Sequence, residues 1–287
     1  MQLNPADLQI PEFTRAEIAR CRENVEKGLY GAGLIVDANN IMYRMAFATS
    51  KDCSTATELL SAFIDKVRKT AEGVGADVVV CCLDHGVTLR RSMLGARKKP
   101  DKTPEDEAVV AIGREALHLL RDAQSSSEQY RWLNVRWLEG YEADDICAAY
   151  AVSGFCVHTV ICSTDSDIYQ VTDGSSVTQL SPATGKFLKS EIPPELVPGV
   201  KALAGDSSDS IEGLKGVGNK TALDIMNGLK TRDLTPAELR QVRDDLMLTA
   251  LPFPGSHLAL EFGGLVPMPP MYEEQETKNR DDETVPF

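Results

Sequence analysis

Residues 77–84 read DVVVCCLD, an apolar run of strand length with no polar alternation, closed at both ends by an acid. Strands covered on both faces belong to parallel sheets flanked by helices. The flanking sequence agrees. Upstream, ATELLSAFIDKVRKTAEG (56–73) puts Leu59, Leu60, Phe63, Ile64 and Val67 on one helical face, and LIVD (34–37) is another apolar run ending in an acid. Downstream, Thr103 and Pro104 of TPED (103–106) form a helix start that leads into VVAIGREALHLL. NVRWLEG (134–140) then reads as a strand, EADDICAAYAV (142–152) as a helix, CVHTVICS (156–163) as a strand and VTQLSP (177–182) as a weaker strand. This alternation predicts an α/β fold with a parallel sheet and helices on both faces.

Beyond residue 190 the strands stop, and PPELVPGVKALAG (193–205), NKTALDIMNGL (219–229) and TPAELRQVRDDLMLTAL (235–251) read as helices. The chain therefore divides into an N-terminal extension (1–30) with a short helix near 14–27, a core (31–190), a helical subdomain (191–251) and a tail (252–287). In the tail proline, glycine and acids dominate and no period survives, so it reads as disordered.

With 287 residues, 43% of them hydrophobic, the chain can bury a sizeable core, which excludes collagen, coiled coil and wholesale disorder. No stretch approaches the roughly 18 consecutive apolar residues of a membrane span, and the acidic, proline-broken start does not read as a signal peptide. The seven cysteines are odd in number, include the adjacent pair Cys81 and Cys82, and never take a CxxC spacing. They read as reduced core residues of a cytoplasmic protein, not as a disulfide framework or a zinc site. A net charge of −13 argues on average against a nucleic-acid partner. The average hides a local reversal: Arg90, Arg91, Arg97, Lys98, Lys99 and Lys102 face the single acid Asp101 between residues 90 and 102.

Where the acids fall decides the matter, because ligands of an open parallel sheet bind outside the carboxyl ends of its strands. Asp37 and Asp84 end the first two strands, Glu142, Asp144 and Asp145 open the helix after the third, and Asp165 and Asp167 follow the fourth. One such residue is ordinarily a turn or cap. Acids at four successive strand ends bring seven carboxylates together, and these cannot all stay ionised without cations. Oxygen-only donors indicate Mg²⁺ or Mn²⁺, and a two-metal site that clamps a phosphodiester uses such a set. His85, His118, His158 and His257 form no HxxxH spacing, and His85 beside Asp84, which could approach the site, reads as a residue behind the ligands or an incidental neighbour.

GYEADD (140–145), STDSD (163–167) and above all GDSSDSIEGLKGVGNKTA (205–222) resemble the 5′-nuclease superfamily, which includes the 5′-nuclease domain of bacterial DNA polymerase I, phage 5′–3′ exonucleases and flap endonucleases. The resemblance spans roughly residues 34–229. It implies a PIN-like core, a basic helical arch near residues 86–106 and a helix-hairpin (helix-3-turn-helix) subdomain. It also implies a metal-dependent 5′–3′ exonuclease with structure-specific flap endonuclease activity in DNA replication or repair, using two or more Mg²⁺ ions, with Mn²⁺ able to substitute. By position, the metal-binding acids are Asp37, Asp84, Glu142, Asp144, Asp145, Asp165, Asp167, Asp206 and Asp209, with Asp145 and Asp167 also catalytic. Arg90, Arg91, Arg97, Lys98 and Lys99 occupy the arch, Arg97 and Lys98 as catalytic cations. Arg97 stands where the family has lysine, Ala96 where it has tyrosine, and Pro100 where it has arginine. Ser210 and Glu212 replace the usual asparagine and proline.

Gly216 and Gly218 precede a helix starting near Asn219, where backbone N–H groups and Lys220 can grip a phosphate of duplex DNA, and the motif adds Thr221 to that contact. The expected substrates are flap, nicked or 5′-ended duplex, with RNA-primed duplex as an alternative, and the expected state is a monomer in the cytoplasm of a bacterium or phage-infected host. Two further readings use the same fold: a non-catalytic binder of DNA ends or junctions, and a small PIN-type ribonuclease, which would lack residues 205–222. The end NRDDETVPF (279–287) resembles the C-terminal tips of bacterial single-stranded-DNA-binding proteins. It reads either as a solvated tail or as a segment that docks on a replication protein or on the chain's own arch.

Overall fold

The computed structural model describes residues 2–23, 25–49, 55–94 and 103–269. In chain order the elements are α1 (Glu12–Arg22), β1 (Tyr30–Asp37), α2 (Ala38–Ala48), α3 (Ala56–Val74), β2 (Val78–Cys82), α4 (Leu89–Leu94), α5 (Pro104–Ser126), α6 (Ala143–Ser153), β3 (Cys156–Cys162), β4 (Val177–Leu180), β5 (Phe187–Leu188), α7 (Val197–Ala204), α8 (Asn219–Met226) and α9 (Pro236–Thr249). The sheet order is β2-β1-β3-β4-β5. The first three pairings are parallel and β4–β5 is antiparallel. The expected α/β sheet flanked by helices is therefore the observed architecture.

Alternate residues of the buried strands feed opposite cores, as the pleat requires. Leu34, Val36, Val79 and Cys81 pack with Phe63, Ile64, Leu117 and Leu120 of α3 and α5 on one face. Ile35, Val80 and Cys82 pack with Ile146 and Tyr150 of α6 on the other. Helix starts follow the local chemistry. Thr55 and Glu58 form a capping box on α3, and the Thr103 hydroxyl caps α5 with Pro104 in its first turn.

Two expectations are corrected, for residues 134–140 and 252–269, and the N-terminal segment proves well packed. Residues 134–140 are not a strand: they make one parallel bridge, Arg136 to Cys82, beside the outer edge of β2. Asn134 has a positive φ of 43°, and its side-chain amide donates to the Val79 carbonyl (2.8 Å) and the Val266 carbonyl (2.9 Å). That edge is thus shared with residues near 266, and the chain turns away at Gly140. The described residues of the N-terminal extension (1–30) pack into the fold: Leu3 and Leu8 join the core of α7, α8 and α9, and buried Glu17 of α1 accepts from the Ser256 hydroxyl (3.1 Å) and the His257 N–H (2.7 Å). Residues 252–269 are not a loose tail, because Phe253, Ala259 and Leu265 are buried against α6; an aperiodic segment still orders where it supplies apolar anchors.

Residues 270–287, with the proposed docking tip, lie outside the described residues, as do Arg97, Lys98, Lys99 and Cys53. Among the described residues, the cysteines are buried and free, and no helix is long and apolar enough to cross a membrane.

Candidate metal centre

The carboxyl ends of β1, β2 and β3 open into a cleft of about 560 Å³ lined by Asp37, Asp84, Glu142, Asp144, Asp165 and Asp209, with Arg44 and Arg114 on its rim. Backbone geometry aims these acids. Asp37 caps α2 by accepting from the Asn40 N–H (3.0 Å) and accepts from the Ser163 hydroxyl (2.9 Å). Asp84 accepts from the Ala143 N–H (2.8 Å), tying β2 to the start of α6. Asp165 caps the turn after β3 by accepting from the Asp167 N–H (2.9 Å).

The cluster is electrostatically strained. Burial, reinforced by Asp84 and Asp165, pushes the Asp37 carboxyl up to about 7. Burial together with Asp145 and Glu142 holds Asp144 well above the carboxylate range. A carboxyl whose pKa rises on folding binds a proton that the unfolded chain has released, so its contribution to stability is lost as pH rises through the interval between the two pKa values. Without divalent ions, the Asp37 contribution should therefore fall between about pH 4 and about 7, then level off. Thermal melts in EDTA should show Asp37→Asn gaining on wild type across that window. A pH-independent difference would contradict this.

Asp206 and Asp209 come from the loop between α7 and α8. One oxygen each of Asp167, Asp206 and Asp209 lies within 4.8 Å of the others. A Cβ on Gly213 would collide with the backbone of Gly205, so this loop closes on itself only with glycine there. Lys201 of α7 enters the group, contacting Asp167 and reaching Asp206 Oδ2 at 2.7 Å. Burial, against the opposing pull of Lys201, lifts Asp167 to about 7. Asp206 is lowered, because Lys201 and Ser208 outweigh its burial. Lys201 was not anticipated from sequence; its position five residues before Asp206 was the only signal.

Two expected site residues, Asp145 and Arg90, are buried behind the cleft. Asp145 is 1% exposed and Arg90 4% exposed, and they form an ion pair with each other behind Asp144 and Glu142, whose charges Arg90 also feels. Asp145 also accepts from the Phe253 N–H (2.9 Å). Arg90 donates to the carbonyls of Leu248 (2.6 Å) and Ala250 (2.9 Å). The pair ties α4, α6 and the end of α9 together. Arg91 lies in α4, and its side chain is outside what the structure describes.

At the α7–α8 loop, Gly216 has φ +78°, a conformation that favours glycine, and Val217 is buried as the anchor. Gly216, Gly218 and Lys220 are exposed, and Thr221 is half-buried. A Cβ on Gly216 or Gly218 would meet nothing within 4 Å. The start of α8 has no side-chain cap, so a phosphate can approach its backbone N–H groups.

The donor set of the cleft fits a hard divalent cation, being carboxylate oxygen with no cysteine or histidine among the lining residues. His85 turns away, accepting from Arg121 (3.5 Å).

Residues 32–195 match the family model described as 5′–3′ exonuclease, N-terminal resolvase-like domain. A 5′–3′ exonuclease of Bacillus subtilis is 27% identical over 220 residues, covering 70% of this chain and 71% of that protein. DNA polymerase I of the same organism is 32% identical over 215 residues, covering 67% of this chain and 23% of the polymerase. Among solved structures, the 5′-exonuclease of bacteriophage T5 with bound zinc superposes with TM-score 0.60 at 20% identity, covering 77% of this chain and 90% of that one. A bacteriophage T5 flap endonuclease complex with DNA and metal ions also gives TM-score 0.60 at 20% identity, covering 77% and 89%.

Proposed function

The chain belongs to the 5′–3′ exonuclease family, and on that premise we propose that its acidic cleft hydrolyses phosphodiesters at DNA 5′ ends and flaps with Mg²⁺, Mn²⁺ being able to substitute. The observation that carries this reading is the convergence of six carboxylates in one cleft. Asp37, Asp84, Glu142, Asp144, Asp165 and Asp209 would hold the ions. A pair of divalent ions supplies positive charge to the phosphodiester and lowers the pKa of water, which suits in-line displacement.

The chain's own residues do the rest. Ser163 and Asn40 hold Asp37 in place. Arg44 and Arg114 offer positive charge to flanking phosphates, and Lys201 neutralises part of the Asp167–Asp206 group. The start of α8, with Gly216, Gly218, Lys220 and Thr221, grips the duplex backbone without reading sequence. Asp145 belongs to the supporting structure.

Labelled flap, nicked, blunt and RNA-primed duplexes, incubated with EDTA, Mg²⁺ or Mn²⁺, test the reading. Metal-dependent release from the flap or 5′ end is expected, and absence of cleavage on every substrate would sink it. The same panel decides whether RNA is accepted. A monomeric state and docking of residues 279–287 on a replication protein belong to the same proposal, to be checked by sedimentation and by deleting that segment.

Two variants probe the DNA contacts. Gly218→Glu puts a negative side chain where a phosphate would sit, so duplex affinity should fall about tenfold or more while the melting temperature holds; unchanged affinity would remove the α8 contact. Replacing Arg97, Lys98 and Lys99 together by Ala should slow turnover more than it weakens duplex binding. An unaffected rate would mean that this stretch does not handle the scissile strand.

A further inference from the structure

Trp137 is 38% exposed, although an indole is a costly side chain to leave in water. The Arg121 guanidinium sits 5.9 Å from its ring centroid and the His85 ring 6.5 Å away. Arg121 donates to His85 Nδ1 (3.5 Å), which leaves the proton of a neutral ring on Nε2, facing Glu139 at 3.6 Å. Arg121, Arg131, Arg136 and Trp137 line one pocket of about 450 Å³. Three acids stand on its margin: Glu139 beside His85, Asp122 3.6 Å from Arg121, and Glu261 3.7 Å from Arg136. In a chain of net charge −13, an exposed indole covered by the Arg121 guanidinium, with Arg131 and Arg136 lining the same pocket, is an arrangement that core packing does not require.

Helix α5 connects this patch to the cleft. Arg114 lines the cleft, while Arg121 and Ser125 line the tryptophan pocket. Arg114, His118, Arg121 and Ser125 are spaced i, i+4, i+7 and i+11, a single stripe of the helix, and all four are exposed or half-buried. Seven residues separate the two arginines, about 10.5 Å at 1.5 Å per residue, which is two nucleotides or so of extended strand. From the other side, His85 directly follows Asp84 of the cleft. Two arginines on one helix stripe leading to an exposed aromatic ring are the chemistry that holds single-stranded nucleic acid, with phosphates along the charges and a base stacked on the ring.

We propose that the α5 stripe and Trp137 form a binding track for single-stranded DNA leading away from the acidic cleft. The track rests on the nuclease reading for its ligand, a 5′ strand passing the cleft, but its binding is measured without cleavage. The chain has two tryptophans, and the other, Trp132, is 4% exposed, so quenching by a stacked base reports on Trp137.

Oligothymidylate of about 15 nucleotides, near the span of a single-strand site, is titrated into the full chain in EDTA. Quenching is expected. With labelled oligonucleotide, anisotropy should show affinity falling roughly 5- to 100-fold in Trp137→Ala, the loss of one stacked base, and largely kept in Trp137→Phe. Arg121→Glu, at a half-buried surface position, gives a second reading should Trp137→Ala melt early, and it should weaken binding too. No quenching, or unchanged affinity in both Trp137→Ala and Arg121→Glu, overturns the track. If quenching and its loss are seen but no substrate is ever cut, the track stands and the nuclease reading falls. Normal flap cleavage with unaltered single-strand affinity gives the reverse.

Discussion

Asp37→Asn should lower the rate of cleavage by roughly 10²- to 10³-fold, the scale of losing one preorganised stabilising group at a reacting centre, while leaving the protein at least as stable as wild type in EDTA. The substitution is nearly isosteric. The Asn oxygen can still accept from the Asn40 N–H, and its amide can donate to the Ser163 hydroxyl in place of the contact now made by Asp37. What is lost is one negative charge in a site where burial, Asp84 and Asp165 already oppose ionisation. Removing a charge that the fold disfavours relieves repulsion, and removing a ligand weakens ion binding. Divalent ions should therefore raise the melting temperature of wild type more than that of the variant. Rate, melting temperature in EDTA and the metal-induced shift are the three readouts. A near-normal rate would take Asp37 out of the site.

Asp145→Asn should behave in the opposite way, destabilising the fold before it touches the chemistry. The carboxylate is buried against the Arg90 guanidinium, and removing one partner of a buried pair leaves an uncompensated charge at about 3–5 kcal/mol. For a chain of this size that is a fall in melting temperature of roughly 10 °C. Arg90→Gln should cost a comparable amount, because the carbonyls of Leu248 and Ala250 lose donors as well. The double variant should cost less than the sum, since both changes break one interaction. If Asp145→Asn instead melts with wild type and loses cleavage as completely as Asp37→Asn, Asp145 acts at the metal centre and its pairing with Arg90 is secondary.

Much of the scaffold was legible in the chain because its signals are local. Continuous apolar runs at 34–37 and 77–84, the helical face through Leu59, Phe63 and Val67, and the Thr103–Pro104 start all depend on residues within a few positions of one another. The acids at the strand ends were legible for the same reason, since a parallel sheet brings its carboxyl ends to one side whatever lies between them. The 134–140 segment carried a strand-like pattern, but whether a strand pairs along its length depends on what else claims the neighbouring edge, here Asn134 and the distant residues near 266. Residues 252–269 carried no period at all, and their order comes from Phe253 and Leu265 filling a face that only the assembled α6 presents.

The sequence by itself determined the sheet, its flanking helices and the gathering of carboxylates at one end. Only the tertiary structure decided which acids serve the cleft. Asp144 and Asp145 are neighbours in the chain, yet each helical residue is rotated about 100° from the last, so Asp144 faces the cleft and Asp145 faces Arg90 in the interior. Charge alone could not separate Arg90, which is internal, from Arg114 on the cleft rim, nor single out Lys201 between Asp167 and Asp206. Their roles come from which elements pack together, over sequence separations at which local patterns carry no information.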